Sequence, residues 1–534
     1  MENNTLTGTD ENGSAPSLRR RLSAPAARIF LGSALWASAV AFALSASALP
    51  GNDPYYHVAL VRKMLESGRW IIVDFPWTTC SIWSEPFFDK EWLFHVFLLP
   101  FVSAGGIFGA KAATVALAAF AAAAWGFLLA TLGCRRIFQC LLFALSATGY
   151  VFLARIDLCR PHLASLIFLP LTLAMAVRGW RWGVALSVCL YSLSYVAAWH
   201  VVPILVFFDI LRFWEWRRSG AEGAEKRPAL VSPWALAGIA AGFALSPYFP
   251  NNIRGTFVQT ILILKEKWFS PGPSPGLAVK ELAPIPFDRF WLHALPFAAL
   301  GVSIASALKK RRKLVSPSTT ILLLFLAAGY AAMAIFSRRF VEYSAPACAV
   351  AAFAYWERHP AAWWKRLSAR GRRSLSVAAT VLMLASLAVS AAALRMDIHK
   401  HRSNVPFQDA AEWIRTNTRP GEVVFSSDWG ANSVLFYQLP NRRYLVMLDP
   451  YFMRARSKRK HLIWWRLSEG RLDKPAETIA MEFGSRVVFL PPGAKALAGS
   501  LLMDPDAELE VEGRDGEMVF LLKTGKEGRE RSER

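Results

Sequence analysis

The chain has 534 residues, 54% of them hydrophobic, with 21 Trp and 36 Phe, a composition that excludes a wholly soluble protein. Lys and Arg number 61 against 39 Asp and Glu, a net charge of +22. That excess falls in short segments between apolar runs, so it sets membrane orientation and does not mark a nucleic-acid surface.

Residues 1–28 are polar and end in a basic cluster of Arg19, Arg20, Arg21 and Arg28, which places them in the cytoplasm. Residues 29–49 are the first crossing, too long for a signal peptide and without a cleavage site. An acidic outer loop, 50–106, follows; it holds Asp53, His57, Asp74, Glu85, Asp89 and Glu91. Within it, Pro54 to Glu66 is an amphipathic interfacial helix, with Tyr56, Leu60 and Met64 spaced four apart. The apolar stretch Glu91 to Ala104 is too short to cross and is expected to be half-buried or re-entrant.

Ten more crossings are expected at 107–132, 137–154, 163–177, 183–198, 201–214, 234–246, 290–308, 318–336, 341–356 and 375–394. Basic residues mark their inner ends: Arg135-Arg136, Arg178 and Arg181, Arg217-Arg218, and the run 309–313. A second outer loop, 250–288, carries an interfacial helix through Lys265 to Trp268 and a Pro/Gly-rich turn. Eleven crossings from an inside start leave 395–534 outside. There, helix-like and strand-like stretches alternate, and AELEVEGRDGEMVFLLK reads as a hairpin turning at Asp515-Gly516. Residues 395–524 are therefore a small extracytoplasmic α/β domain without GxGxxG or P-loop, and 525–534 are a disordered tail. The expected whole is a polytopic α-helical protein of the cytoplasmic (inner) membrane, with about 11 transmembrane helices and a C-terminal α/β domain.

Carboxylates gathered at a membrane edge are costly unless hydrated, paired or used. Asp53 opens a helix with Pro54 behind it, a capping arrangement that a catalytic role does not exclude. His57 lies one turn on, on the same face, and joins the substrate-binding set. Asp89 and Glu91 flank Lys90; they cap an interfacial helix, bind sugar hydroxyls, or hold a divalent cation such as Mg or Mn. His57 and His95 read as packed or interfacial side chains more than as metal ligands, and the six cysteines show no zinc spacing. Arg155, Arg160, Arg254, Lys265, Lys267, Arg338 and Arg339 fall on the outer edge, where orientation does not explain them. Half of them suit lipid headgroups and the rest suit a phosphate-bearing ligand. Nucleotide sugars are cytoplasmic, so an outward-facing sugar transferase needs a lipid-linked donor such as a polyprenyl-phosphate sugar. A carboxylate would deprotonate the acceptor, and Arg or a metal would stabilise the departing phosphate. The rival is a non-catalytic transporter, flippase or assembly factor for envelope glycans. A transporter would place charges near mid-membrane; the expected crossings are nearly bare of them, and the main exception, Asp209, lies near a cytoplasmic end.

Asn52-Asp53-Pro54-Tyr55-Tyr56-His57 resembles the first acidic motif of oligosaccharyltransferase catalytic subunits. With Lys90-Glu91-Trp92-Leu93, it is closer to a group of bacterial membrane proteins resembling the GT-C glycosyltransferases. Arg160-Pro161-His162, Trp199-His200, Ser246-Pro247-Tyr248 and Lys267-Trp268-Phe269-Ser270-Pro271 are further landmarks of that group. The likeness spans 29–394 and implies a GT-C fold, Asp53 as catalytic acid/base, and a lipid-linked sugar donor. It also implies a lipid, glycan or protein acceptor. His57, Asp89, Glu91, Arg160, His162, His200, Arg338 and Arg339 would bind substrate. Lys90 stands where the group has His, which weakens a metal site there. Ser427-Asp428-Trp429-Gly430 matches only part of the oligosaccharyltransferase Trp-Trp-Asp-Tyr-Gly signature.

Overall fold

The computed structural model describes residues 18–45, 48–218, 227–263, 265, 280–310, 317–402 and 404–523. The expectations for 1–17, for the Lys267–Pro271 landmark with its Pro/Gly-rich turn, and for the 525–534 tail lie outside the described residues.

The first helix, α1 (Leu18–Leu44), ends before the expected residue 49. Pro50 disfavours helix at the residue before it, and Gly51 (φ 79°) turns the chain into α2 (Asp53–Ser67). Pro54 fits the first turn of α2, where its missing N–H costs nothing. This helix is not interfacial as expected: Pro54 to Val61 are buried without a break. The C-terminal domain covers it, with Tyr437 in edge contact with Tyr55 at 5.5 Å and accepting from Arg62 at 2.8 Å.

The helical stretch α3 (Trp92–Thr131) breaks at Gly105 and Gly106, the latter at φ 53°. The short helix 92–104 is thus separate from the crossing 107–131, as the apolar pattern indicated. The crossing expected at 137–154 is not one helix. It is α4 (Ile137–Ser146) and α5 (Tyr150–Ile156), bent by 97° around Gly149, whose φ of 56° favours glycine. An unbroken apolar run hides that bend from a reading of composition.

Helices α6 (His162–Val177), α7 (Arg181–Ser194), α8 (Val201–Arg218) and α9 (Ser232–Leu245) follow. Buried Asp209 accepts from the Val231 and Ser232 N–H groups at 3.0 and 2.8 Å. These donors at the start of α9 otherwise have no partner, so this intramembrane acid has a capping role. The remaining large helices are Ala294–Lys310, Pro317–Phe336, Val341–Arg358 and Ala369–Arg402. Among the described residues, six helical stretches are long and apolar enough to cross a membrane, seven if the bent pair is one span. The other expected crossings fall on helices of 14 to 18 residues. The chain is a multi-pass membrane protein.

The C-terminal domain carries a five-stranded sheet: β1 (Val423–Ser426), β2 (Arg443–Tyr444), β3 (Val487–Leu490), β4 (Ala507–Glu512) and β5 (Met518–Leu522). Their order is β2-β1-β3-β5-β4. β1 runs parallel to β2 and β3; β4 and β5 form the expected antiparallel hairpin, and β5 pairs antiparallel with β3. β3 is buried along its whole length, as a central strand covered on both faces must be.

The edge beyond β2 is occupied by the acidic loop. Tyr444 N–H donates to Trp77 O at 2.7 Å, Thr79 N–H to Tyr444 O at 2.8 Å, and Cys80 N–H to Leu445 O at 2.9 Å. Arg456 adds contacts to Ser81 O at 3.1 Å and Glu85 at 2.9 Å. Phe436 packs on Trp77, Phe75 and Tyr56 at 5.4, 5.8 and 6.3 Å. Aromatic burial of this kind makes loop and domain one packed unit.

Candidate functional site

Two polar clusters meet at the N-terminal half of α2. The first begins with Asp53. Arg160, in the turn between α5 and α6, reaches Asp53 Oδ2 at 2.9 Å and Glu281 Oε1 at 2.6 Å. Arg155, near the end of α5, donates to Glu281 Oε1 at 3.0 Å and, through Nε and Nη2, to Glu342 Oε2 at 3.2 and 2.8 Å. Asp53, Arg160, Glu281, Arg155 and Glu342 thus form one ionic chain drawn from four parts of the sequence. Burial opposes charge on Glu281, but Arg155, Arg160 and Arg339 overcome it and hold the carboxyl far below its ordinary range. His162 donates Nε2–H to Arg155 O at 2.7 Å and lies 3.9 Å from Glu342. Beside the chain, burial pushes the Asp157 carboxyl up to about 7 against the pull of Arg155.

Two members of the chain, Arg155 and Glu281, border a cavity of about 350 Å³. Arg155, Arg289, Arg338, Arg339 and Glu281 supply its charged wall; Val151, Ala154, Ile285, Pro286 and Val341 supply its apolar wall. Arg339 also donates to Tyr195 Oη at 2.7 Å, and Arg338 N–H to Ala283 O at 2.9 Å.

The second cluster joins His57 to the start of α3. His57 Nδ1 and His95 Nε2 lie 2.8 Å apart, and His95 Nδ1 lies 2.7 Å from Asp89 Oδ2. Asp89 Oδ1 accepts the Glu91 N–H at 2.9 Å, and Lys90 pairs with Glu91 Oε1 at 3.0 Å. His57, Asp89, Glu91 and His95 are all buried. Burial and the neighbouring His95 lower the His57 pKa, so its ring is neutral.

The structure therefore divides the expected set. Asp53, Arg160 and His162 belong to the ionic chain, Arg338 and Arg339 line its cavity, and His57, Asp89 and Glu91 belong to the imidazole cluster. His200 joins neither: it sits among the rings of Tyr191, Tyr330 and Tyr343, deeper in the helical body. Asp89 does not offer free oxygens to a cation, since both are engaged; the group that converges is His57, Glu91 and His95, all within 4.8 Å. Glu281, Glu342 and the bridging part of His95 were missed. His95 stands four residues after Glu91, a spacing that puts both on one helix face. The two glutamates had no such local signal. Exposed Glu85 pairs with Arg456, and exposed Asp74 enters neither cluster. The Ser427–Gly430 turn lies against α2: a Cβ on Gly430 would come within 3.2 Å of the Asn52 side chain.

No family model and no curated relative matches the sequence. Solved structures do match the fold. The Archaeoglobus fulgidus oligosaccharyltransferase AglB, in complex with an inhibitory peptide and a dolichol-phosphate, is 13% identical with a TM-score of 0.57. That match covers 95% of this chain and 75% of that one. The same enzyme has also been crystallised with Zn and sulfate. ArnT from Cupriavidus metallidurans, bound to undecaprenyl phosphate, is 14% identical with a TM-score of 0.51, covering 95% and 98%. The mycobacterial arabinofuranosyltransferase AftD is 12% identical with a TM-score of 0.50, covering 95% and 40%. All are GT-C glycosyltransferases, and the chain has the GT-C fold.

Proposed function

We propose that this chain is a membrane glycosyltransferase. It moves a sugar from a polyprenyl-phosphate-linked donor to a lipid, polysaccharide or protein acceptor at the outer face of the cytoplasmic membrane. One observation carries the reading: Asp53 is joined, through Arg160 and Glu281, to a cavity with one cationic and one apolar wall. An isoprenoid phosphate has both characters. Its chain suits the wall of Val151, Ile285 and Val341, and its phosphate suits the arginines, which offer paired N–H donors. The fold likeness supports the same class of ligand, since two of the matched structures hold dolichol-phosphate and undecaprenyl phosphate.

In this mechanism Arg160 holds Asp53 Oδ2, which fixes the carboxylate and leaves Oδ1 to take the acceptor proton. The new C–O bond forms at the anomeric carbon as the bond to the phosphate oxygen breaks. The electron pair leaves on the phosphate, whose charge Arg155 and Arg339 stabilise without needing to reorganise. Buried charge clusters at the end of the bundle nearest the C-terminal domain, and Asp209 is a helix cap; both favour surface chemistry over passage.

The test is Asp53→Asn in membranes supplied with a lipid-linked sugar. Transfer is expected to fall at least ~10²-fold, as for loss of a general base, while insertion and folding persist. Wild-type transfer by this variant would overturn the assignment. A reporter fused after Arg395 should be active only outside the cytoplasm; activity inside would overturn the outer-face placement.

A further inference from the structure

Mg or Mn held by Asp89 and Glu91 is one of the readings the sequence leaves open, and the structure builds something else there. Asp89 spends Oδ1 on the Glu91 N–H and Oδ2 on His95. The side chains that converge are His57 from α2 with Glu91 and His95 from the start of α3, every ligand atom within 4.8 Å of the others. We infer that these three side chains form a site for one transition-metal dication of the zinc class, with Asp89 as the group that orients His95.

The donor set decides the metal. Two imidazole nitrogens and one carboxylate suit zinc and its first-row neighbours, whereas magnesium and calcium take oxygens. The orientation is already set. Asp89 takes the His95 Nδ1–H, so the His95 Nε2 lone pair faces His57, the carboxylate–histidine pattern that supports metal-bound imidazoles. The facing nitrogens, His57 Nδ1 and His95 Nε2, stand 2.8 Å apart and share one proton. A cation would replace that proton. Ligands on a tetrahedral ion at ~2.0–2.1 Å lie roughly 3.3 Å apart, so the rings need to part by only about half an ångström. Lys90 engages Glu91 Oε1 and leaves the second oxygen for the ion. Three protein ligands leave a fourth position open, the arrangement of sites that bind a water or a substrate oxygen. Asp53 is excluded from the ligand set because Arg160 and the ionic chain hold it.

This site stands apart from the sugar-transfer reading, and its test does not use activity. The full chain is purified in detergent, stripped with a chelator, dialysed against Zn²⁺ alone and its metal content measured. One equivalent is expected, and Co²⁺ in its place should give the visible absorption of a four-coordinate site. His57→Gln and Glu91→Gln should each lose that equivalent. Asp89→Asn should keep it with about 10–100-fold weaker affinity, and Asp53→Asn should keep it unchanged. Should His57→Gln fail to fold, Glu91→Gln decides alone. Less than one equivalent in the unaltered protein would overturn the site. So would an equivalent retained by Glu91→Gln, or one lost in Asp53→Asn; either would leave the two histidines as a proton-sharing pair.

Discussion

At its first residue α2 feeds a carboxylate into a chain of ions; one turn later it feeds an imidazole into a chain of hydrogen bonds. The ionic chain alternates Asp53, Arg160, Glu281, Arg155 and Glu342, so each interior member has opposite charge on both sides. The imidazole chain, Asp89–His95–His57, carries formal charge at one end only. Buried charge is tolerated when it is matched, whereas neutral rings need only a hydrogen-bond partner. The first cluster should therefore depend on balance and the second on connection.

That contrast can be broken from its most sensitive point outward. Glu342→Gln leaves buried Arg155 with Glu281 as its remaining charged partner and should cost about 3 kcal/mol, read as a lower thermal midpoint in detergent. Replacing Arg155 and Glu342 together with Met and Leu should recover most of the loss. A double variant no more stable than the single one would show that balance is not what matters. Asp89→Asn removes a charged acceptor from His95 and should cost less, about 1.5–3 kcal/mol; a larger loss than for Glu342→Gln would reverse the comparison. Asp157 sharpens it further, as a buried acid beside the ionic chain with Oδ1 unpartnered among the described residues. Its folded pKa of about 7 lies above the ordinary 3.8, so the native state binds the extra proton. Stability should fall as pH rises from about 4 to 7 and then level off, and Asp157→Asn should flatten that slope. An unchanged slope would mean Asp157 is hydrated. The smallest effect belongs to Glu85→Ala, which removes an exposed carboxylate from its pair with Arg456, worth at most about 1 kcal/mol.

What could be read from the sequence follows the same division. The imidazole chain comes from one stretch, residues 57–95, and most of its members stood out as polar groups between apolar runs. Only the role of His95 was lost, because a lone buried histidine resembles ordinary packing. The ionic chain needs Glu281 and Glu342, 126 and 187 residues beyond Arg155, which itself stands on the short helix past the 97° bend between α4 and α5. Nothing local encodes that approach, and the bend rests on one glycine inside a uniformly apolar run. Helix positions were legible because a membrane crossing must be long and apolar. The β4–β5 hairpin was legible because Asp515-Gly516 announces its turn; Gly516 has φ 79°. The burial of α2 was not, because the ring of Tyr437 that covers it lies in another domain.

The bridge that the acidic loop makes beside β2 bears on how the molecule is made. Thr79 and its acceptor Tyr444 are 365 residues apart. A ribosome must therefore add 365 residues after Thr79 before that loop finds its neighbour. Until then its backbone groups stay unmatched, and a prematurely terminated chain would leave them so permanently, the kind of open edge that invites aggregation.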